Sequence, residues 1–422
     1  MFKNKFFINS LWLIIDKMYL LLGGFIVSIM VAKYLGPDSL GKFTYGIMLS
    51  LWCTTFSQWG ASYYIFNMAS KYRDKAIPYI KDSELHRTII YFISWFLISL
   101  YLYFTLPLND FLFISSLVLS GVFSGLDIYQ YYFNGTLKSK YNARISIVAR
   151  TISMSLRIMI VLYNGDLWLF IIPVFIEGII VFFYKRSKVL GGRGYYEESD
   201  KGSVSCLYFK ESFTFLMSTV LVLLFTKVNE LVLQSVTDFY QLGVYTAAMT
   251  LSVAWTFLPL SVGMSLLSKV IENKKIESLT SINFFIISIS IPVCIVFYFL
   301  SEFIVALTYG KEYRDINHII VFTCLSSSLS VLNVINNRYI ASINGGDVYL
   351  FKKLLFLAII SVIVTYAMVN AYGIKGAAYS LLVMEFFSYT LGNYLFSGAN
   401  LFLMQFYMFK AKRVKAGFEG FK

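Results

Sequence analysis

About twelve stretches of this chain are long and apolar enough to cross a bilayer, and no other feature limits its fold so tightly. A span needs roughly 20 mostly apolar residues, because a helix rises ~1.5 Å per residue across ~30 Å of hydrocarbon. Stretches meeting that template fall near 9–33, 41–67, 88–107, 110–133, 144–163, 166–184, 212–235, 242–268, 279–307, 316–342, 353–371 and 376–399. In hydrocarbon each backbone N–H and C=O must be satisfied within its own segment, so the stretches read as helices and the fold as all-α. Composition agrees: 58% of residues are hydrophobic and only 14% charged, against ~25% charged in soluble domains. Lys3 and Lys5 lead into the first stretch, which lacks a small-residue cleavage site and reads as a retained helix. The run 402–409 is too short to span.

The net charge of +13 would point to nucleic acid in a soluble protein. Here it reads as topology. With a cytoplasmic N-terminus, 26 Lys and Arg fall in inside segments and 5 in outside loops (Lys33, Lys42, Lys311, Arg314 and Lys375). That asymmetry obeys the positive-inside rule, so both termini are expected in the cytoplasm. Arg87, Lys185 and Lys353 are counted among the inside loop charges.

The longest break between spans, 185–210, is charged and Gly-rich, as a flexible linker should be. It divides the chain into an N-terminal lobe (1–184), a linker (185–210), a C-terminal lobe (211–401) and a basic tail (402–422). Near the start of each lobe two apolar helices meet at a similar junction. In the first, Leu35-Gly36-Pro37-Asp38 stops a helix, since Gly tolerates left-handed backbone and Pro cannot continue the helix. Setting Leu40-Gly41-Lys42-Phe43 over Leu242-Gly243-Val244-Tyr245 also brings Leu49-Ser50 over Leu251-Ser252. Two six-helix halves related in this way form a transporter arrangement.

Ten charges fall inside spans: Lys17, Arg150, Arg157, Lys227 and Arg338, and Asp16, Asp127, Glu177, Glu230 and Glu385. Each costs ~2.5–3.5 kcal/mol at a helix centre on insertion scales, so most should face a cavity or a partner. Arg150 and Arg157 lie seven apart on one helix face. Two guanidiniums on one stripe suit a phosphate-bearing substrate; the competing reading pairs each with an acid such as Asp127 or Glu177. Lys227 and Glu230 are helix-surface neighbours and read first as an ion pair. Lys17 and Arg338 are near enough to span ends to snorkel, while the short carboxylate of Asp16 cannot reach as far. Glu177 and Glu385 lie mid-span, where a carboxyl can cycle between protonated and charged forms; with Glu230, Asp127 and Asp16 they are candidates for proton or sodium coupling.

Signals of conventional catalysis are absent. His86 and His318 belong to opposite sides of the predicted membrane, and the four cysteines show no metal-ligand spacing. There is no phosphate-binding G-x-x-x-x-G-K and no nucleophile elbow. No enzyme activity, bound cofactor or nucleic-acid partner is expected.

The string Ala32-Lys33-Tyr34-Leu35-Gly36-Pro37-Asp38-Ser39-Leu40-Gly41-Lys42-Phe43 resembles the A-R-Y-L-G-P-x-x-(F/L)-G-x-(Y/F) signature of Wzx-type polysaccharide flippases, members of the multidrug/oligosaccharidyl-lipid/polysaccharide (MOP) exporter superfamily. Residues 228–248, VNELVLQSVTDFYQLGVYTAA, are similar to the family's seventh-helix motif. Tyr309-Gly310-Lys311-Glu312-Tyr313 and Gly373-Ile374-Lys375-Gly376-Ala377-Ala378 resemble two more signatures, in the family's order. Asp16 and Lys17 fall where relatives often place an acid–base pair. One departure is Asn229, where relatives often have an acid; Glu230 follows instead.

The resemblance implies twelve helices in two lobes with a V-shaped central cavity and alternating access. It implies a monomer in the bacterial inner membrane that moves undecaprenyl-pyrophosphate-linked oligosaccharide to the outer leaflet for O-antigen or capsule assembly. A polysaccharide polymerase and a chain-length regulator are its implied partners. A cation-coupled multidrug exporter of the same superfamily is the alternative; it should favour acids over Arg in its cavity.

Overall fold

The computed structural model describes residues 2–73, 75–191, 201–273, 277–343, 345–397 and isolated positions between 402 and 417, with side chains mostly outside the described set before residue 23. By contacts the chain forms two units, one of Met1–Leu35 with Lys42–Leu223 and one of Gly36–Gly41 with Leu224–Lys422. Every regular element among the described residues is helical.

The first unit begins with α1 (Phe2–Gln58), which a single non-helical residue divides into two arms: Gly36, at φ 72° and ψ 168°, followed by Pro37. A second break follows at Trp59 and Gly60, both at positive φ. The predicted span 41–67 is therefore two helices, and α2 (Ala61–Lys71) is separate. A Cβ at Gly60 would press on the Ser212 carbonyl and the Leu216 amide, so only glycine lets these backbones meet. Next come α3 (Ala76–Asp82), α4 (Glu84–Thr105) and an apolar stretch in three pieces: α5 (Leu108–Ser120), α6 (Val122–Leu126) and α7 (Tyr129–Gly135). The last two helices before the long break are α8 (Ser139–Leu162) and α9 (Ile171–Leu190).

The second unit takes over within α10 (Lys201–Val236) and continues through α11 (Phe239–Ala254) and α12 (Phe257–Asn273), a pair bent by 48°. Then follow α13 (Glu277–Thr308), a 3-10 segment (Lys311–His318), α14 (Ile320–Ala341), α15 (Gly346–Tyr372), α16 (Ile374–Tyr389) and α17 (Leu391–Ser397). Its core joins α12, α13 and α14 through Leu267, Val270, Ile282, Ile286, Leu332 and Ile335.

Eight described helices are long and apolar enough to cross a membrane, and the bent α11–α12 pair makes a ninth. The two arms of α1, the second continued by α2, and the α16–α17 pair fall on the predicted spans 9–33, 41–67 and 376–399 as far as residue 397, giving about twelve. Large apolar side chains face outward along these helices: Phe104 is 76% exposed and Phe299 74%. Such surface is stable in lipid and would aggregate in water.

One expectation changes. The proposed flexible linker 185–210 is helical at both ends, because α9 runs to Leu190 and α10 starts at Lys201; only 192–200 lie outside the described residues. Part of the tail packs on the helices. Gln405, Met408 and Val414 are buried, and the Val414 carbonyl accepts from Ser281 Oγ of α13 at 2.8 Å.

The family-like motifs meet in the second unit. A Cβ on Gly41 would collide with the Phe239 carbonyl, and a Cβ on Gly243 would collide with the Pro37 carbonyl. Gly36 faces the Glu312 carboxylate, with its Cβ position 3.0 Å from Oε2. Gln241 Oε1 accepts from the Ile374 amide at 3.0 Å, and Tyr240 Oη donates to the Glu312 carbonyl at 3.1 Å. The signatures are thus parts of one packed junction of helix ends.

Candidate functional site

Arg150 and Arg157 sit on one face of α8, and their surroundings differ. Arg150 Nη1 donates to Asp16 Oδ1 on α1 at 2.7 Å, and its Nε is 3.8 Å from Glu177 Oε1 on α9. One guanidinium thereby ties three helices. The hydrogen bond between Tyr19 Oη and Thr151 Oγ1, at 2.6 Å, fixes α1 against α8 at the next turn. Arg150 is therefore occupied by acids, the competing reading of the sequence, and Asp16 and Glu177 are occupied by its guanidinium.

Arg157, about two turns further along α8, makes no ion pair within 4 Å among the described residues. Its Nε is buried with no hydrogen-bond partner among the described residues. The guanidinium carbon stands 5.9 Å from the centre of the Phe43 ring, which Phe170 backs edge-on at 6.2 Å. Glu177 is near enough to act on Arg157 electrostatically. A cation on an aromatic face keeps most of its charge and its in-plane donors available. An anionic oxygen arriving here would fill a hydrogen-bonding position that the protein leaves empty, without first breaking an ion pair.

The other predicted residues are dispersed. Lys227 and Glu230 form the expected pair within α10, Nζ to Oε1 at 2.5 Å. Arg338 is exposed at the last turn of α14, as snorkelling requires. The side chain of Lys17 lies outside the described residues. Asp127 receives Lys185 Nζ at 2.6 Å, both nearly fully buried. Glu385 accepts from Asn333 Nδ2 at 2.6 Å, and Ser388 Oγ donates to Asn333 Oδ1 at 3.2 Å. Of the five candidate acids, Glu385 alone has no basic side chain within ion-pair distance among the described residues.

A model of the polysaccharide biosynthesis protein family matches residues 7–267, more than half of the 422. The chain belongs to this family. Its fold is that of MOP superfamily transporters. The lipid II flippase MurJ in an inward closed conformation is similar with a TM-score of 0.69 and 16% identity, covering 96% of each chain. An inward-facing multidrug resistance MATE family transporter gives 0.57 and 12%, over 97% of this chain and 99% of that one. The Vibrio cholerae MATE transporter VcmN gives 0.55 and 13%, over 99% and 97%. No curated protein matches the chain.

In this member of the polysaccharide biosynthesis family, three basic residues assigned to inside loops are buried instead. Arg87 is fully buried and donates to the Leu126 carbonyl at 3.0 Å and the Ile80 carbonyl at 3.3 Å. It neutralises the carbonyl ends of α6 and α3, where helix dipoles favour a cation. Lys185 continues α9 down to Asp127. Lys353 is 1% exposed and donates to Asn337 Oδ1 at 3.0 Å and Asn393 Oδ1 at 2.8 Å. The sequence carried one usable sign: each adjoins an apolar run with no Gly or Pro to end the helix.

Proposed function

We propose that this chain is a flippase for polyprenyl-pyrophosphate-linked oligosaccharide, moving it by alternating access from the cytoplasmic to the periplasmic leaflet for O-antigen or capsule assembly. The observation that carries this reading is Arg157, a cation with an unused, buried donor on an aromatic face. A pyrophosphate supplies the anionic oxygens that such a guanidinium grips. Membership of the polysaccharide biosynthesis family and likeness to a lipid II flippase support the same substrate class. The protein acts as a carrier and not as an enzyme, in the bacterial inner membrane with both termini cytoplasmic, delivering repeat units to a polymerase and its chain-length regulator.

A proton or sodium gradient drives return of the empty carrier in this reading, and Glu385 is the preferred coupling acid. It can take up and release a proton without breaking an ion pair. Multidrug export is the alternative, since MATE transporters share the fold. A cationic drug would meet repulsion at Arg157.

The deciding experiment is Arg157→Ala in the native host. Loss of surface polysaccharide with an unchanged amount of protein in the membrane is expected. Normal surface polysaccharide removes Arg157 from the mechanism, and dye resistance conferred by the wild-type chain favours the exporter.

A further inference from the structure

A cavity of about 580 Å³ opens on the second unit between α13, α14, α16 and the tail. That is within the ~300–1,000 Å³ of small-molecule sites. Its walls are apolar, and Ile291, Tyr298 and Phe386, which line it, are more than half exposed. It is therefore a groove facing hydrocarbon. Along α13 it runs from Ile287 to Tyr298, about 16 Å at helical rise, roughly one leaflet of a bilayer.

Gln405 breaks the apolar lining. The tail places it in the groove wall at 2% exposure, and neither Nε2 nor Oε1 has a hydrogen-bond partner among the described residues. An orphaned buried amide is costly unless something completes it. A plain hydrocarbon chain, isoprenoid or acyl, cannot do so along its length. An ester carbonyl at the head of a fatty acyl chain can, by accepting from Nε2.

Beyond Gln405 the tail crosses the start of α13, where Val414 is held by Ser281. Ser281 lies six residues, about 9 Å, before Ile287. Lys410 and Lys415 flank that contact and are exposed. Cations thus stand just outside the end of the groove from which an acyl chain would enter, at the distance of a lipid headgroup.

We infer that the groove binds one anionic phospholipid of the leaflet on the tail's side, with an acyl chain between α13 and α14, an ester at Gln405 and the phosphate beside Lys410 and Lys415. The lipid would join the tail to the helices of this unit. This site is independent of Arg157 and of the flippase reading.

The test is native mass spectrometry of the full chain, delipidated in detergent and titrated with palmitoyl-oleoyl phosphatidylglycerol or phosphatidylcholine. One retained phosphatidylglycerol is expected, bound more tightly than phosphatidylcholine. Lys410→Glu with Lys415→Glu, both on the surface, should remove that preference. Two lysines beside an anionic headgroup contribute about fivefold each, so the difference is about twenty-five-fold. Ile291→Trp, at a lipid-facing position, should block the groove and abolish retention, with an unchanged gel-filtration profile confirming the fold. Equal affinity for the two lipids, retention in Ile291→Trp, or displacement of phosphatidylglycerol by an equimolar polyprenyl phosphate overturns the proposal.

Discussion

Gly41 and Gly243 stand at matching positions of the two half-chain motifs, and each occupies space that a side chain would take from the other's preceding turn. The Cβ site of Gly41 falls on the Phe239 carbonyl and lies 3.1 Å from the Gly243 amide; that of Gly243 falls on the Pro37 carbonyl and lies 3.0 Å from the Gly41 amide. Pro37 is four residues before Gly41, and Phe239 four before Gly243, so the contact is reciprocal. Small residues let membrane helices approach at backbone distance, where packing and not hydrophobicity drives association. The repeated L-G-x-aromatic junction is therefore a pair of facing surfaces, which explains why both copies need glycine at the same place.

Gly41→Ala and Gly243→Ala should each lower the thermal unfolding midpoint in detergent, by the ~1–3 kcal/mol typical of overpacking. Since either methyl forces the same two segments apart, the double variant should cost less than the sum of the singles. Additive effects in a double-mutant cycle would show that the two glycines do not share one contact.

Removing Arg150 should be a different kind of defect from removing Arg157. Arg150→Gln leaves Asp16 and Glu177 without their cation, so the amount of protein in the membrane should fall, as measured by immunoblot of membrane fractions. Adding Asp16→Asn and Glu177→Gln should restore that amount, because the uncompensated charges are gone. Arg157→Ala should leave the amount unchanged, since it breaks no ion pair among the described residues. Equal loss of protein in both variants would mean that Arg157 is structural.

Lys185→Met should destabilise the protein by about 3–5 kcal/mol, the effect of stripping the partner from a buried charge. Asp127 would keep a buried carboxylate whose Oδ1 already lacks a hydrogen-bond partner among the described residues. Lys185→Met with Asp127→Leu should recover most of the loss, which unfolding followed by intrinsic fluorescence would register. A single variant as stable as wild type would show that the pair is solvated.

Span count, fold class and the Lys227–Glu230 pair were legible in the sequence because each depends on local periodicity. A run of twenty apolar residues and an i,i+3 neighbour look the same whatever surrounds them. Arg157 was legible as a charge in the wrong solvent, but its lack of an ion pair among the described residues was not, since that depends on where Asp16 and Glu177 come to rest. Arg87, Lys185 and Lys353 were misplaced for the same reason. A hydropathy window ends a span at the first cation, while the helix continues wherever a buried acid, amide or carbonyl end can receive it. Lys185 finds Asp127 fifty-eight residues away, a separation that no local pattern records.

The two acids that differ most in surroundings test the coupling step. Glu230 is held by Lys227, so Glu230→Gln should leave an unpaired lysine with a long stem that can reach the interface, and transport should keep its dependence on a gradient. Glu385 is held by Asn333 and, among the described residues, by no cation within 4 Å. Glu385→Gln preserves shape and still offers an amide oxygen to Asn333 Nδ2, so stability should change little. It removes the one candidate carboxyl that can exchange a proton without breaking an ion pair. Flipping in sealed vesicles should then proceed at a single low rate, the same with an imposed gradient and after its collapse. Undiminished gradient-driven flipping in Glu385→Gln would move coupling to another acid, and the Asp16–Arg150–Glu177 cluster would be next to test.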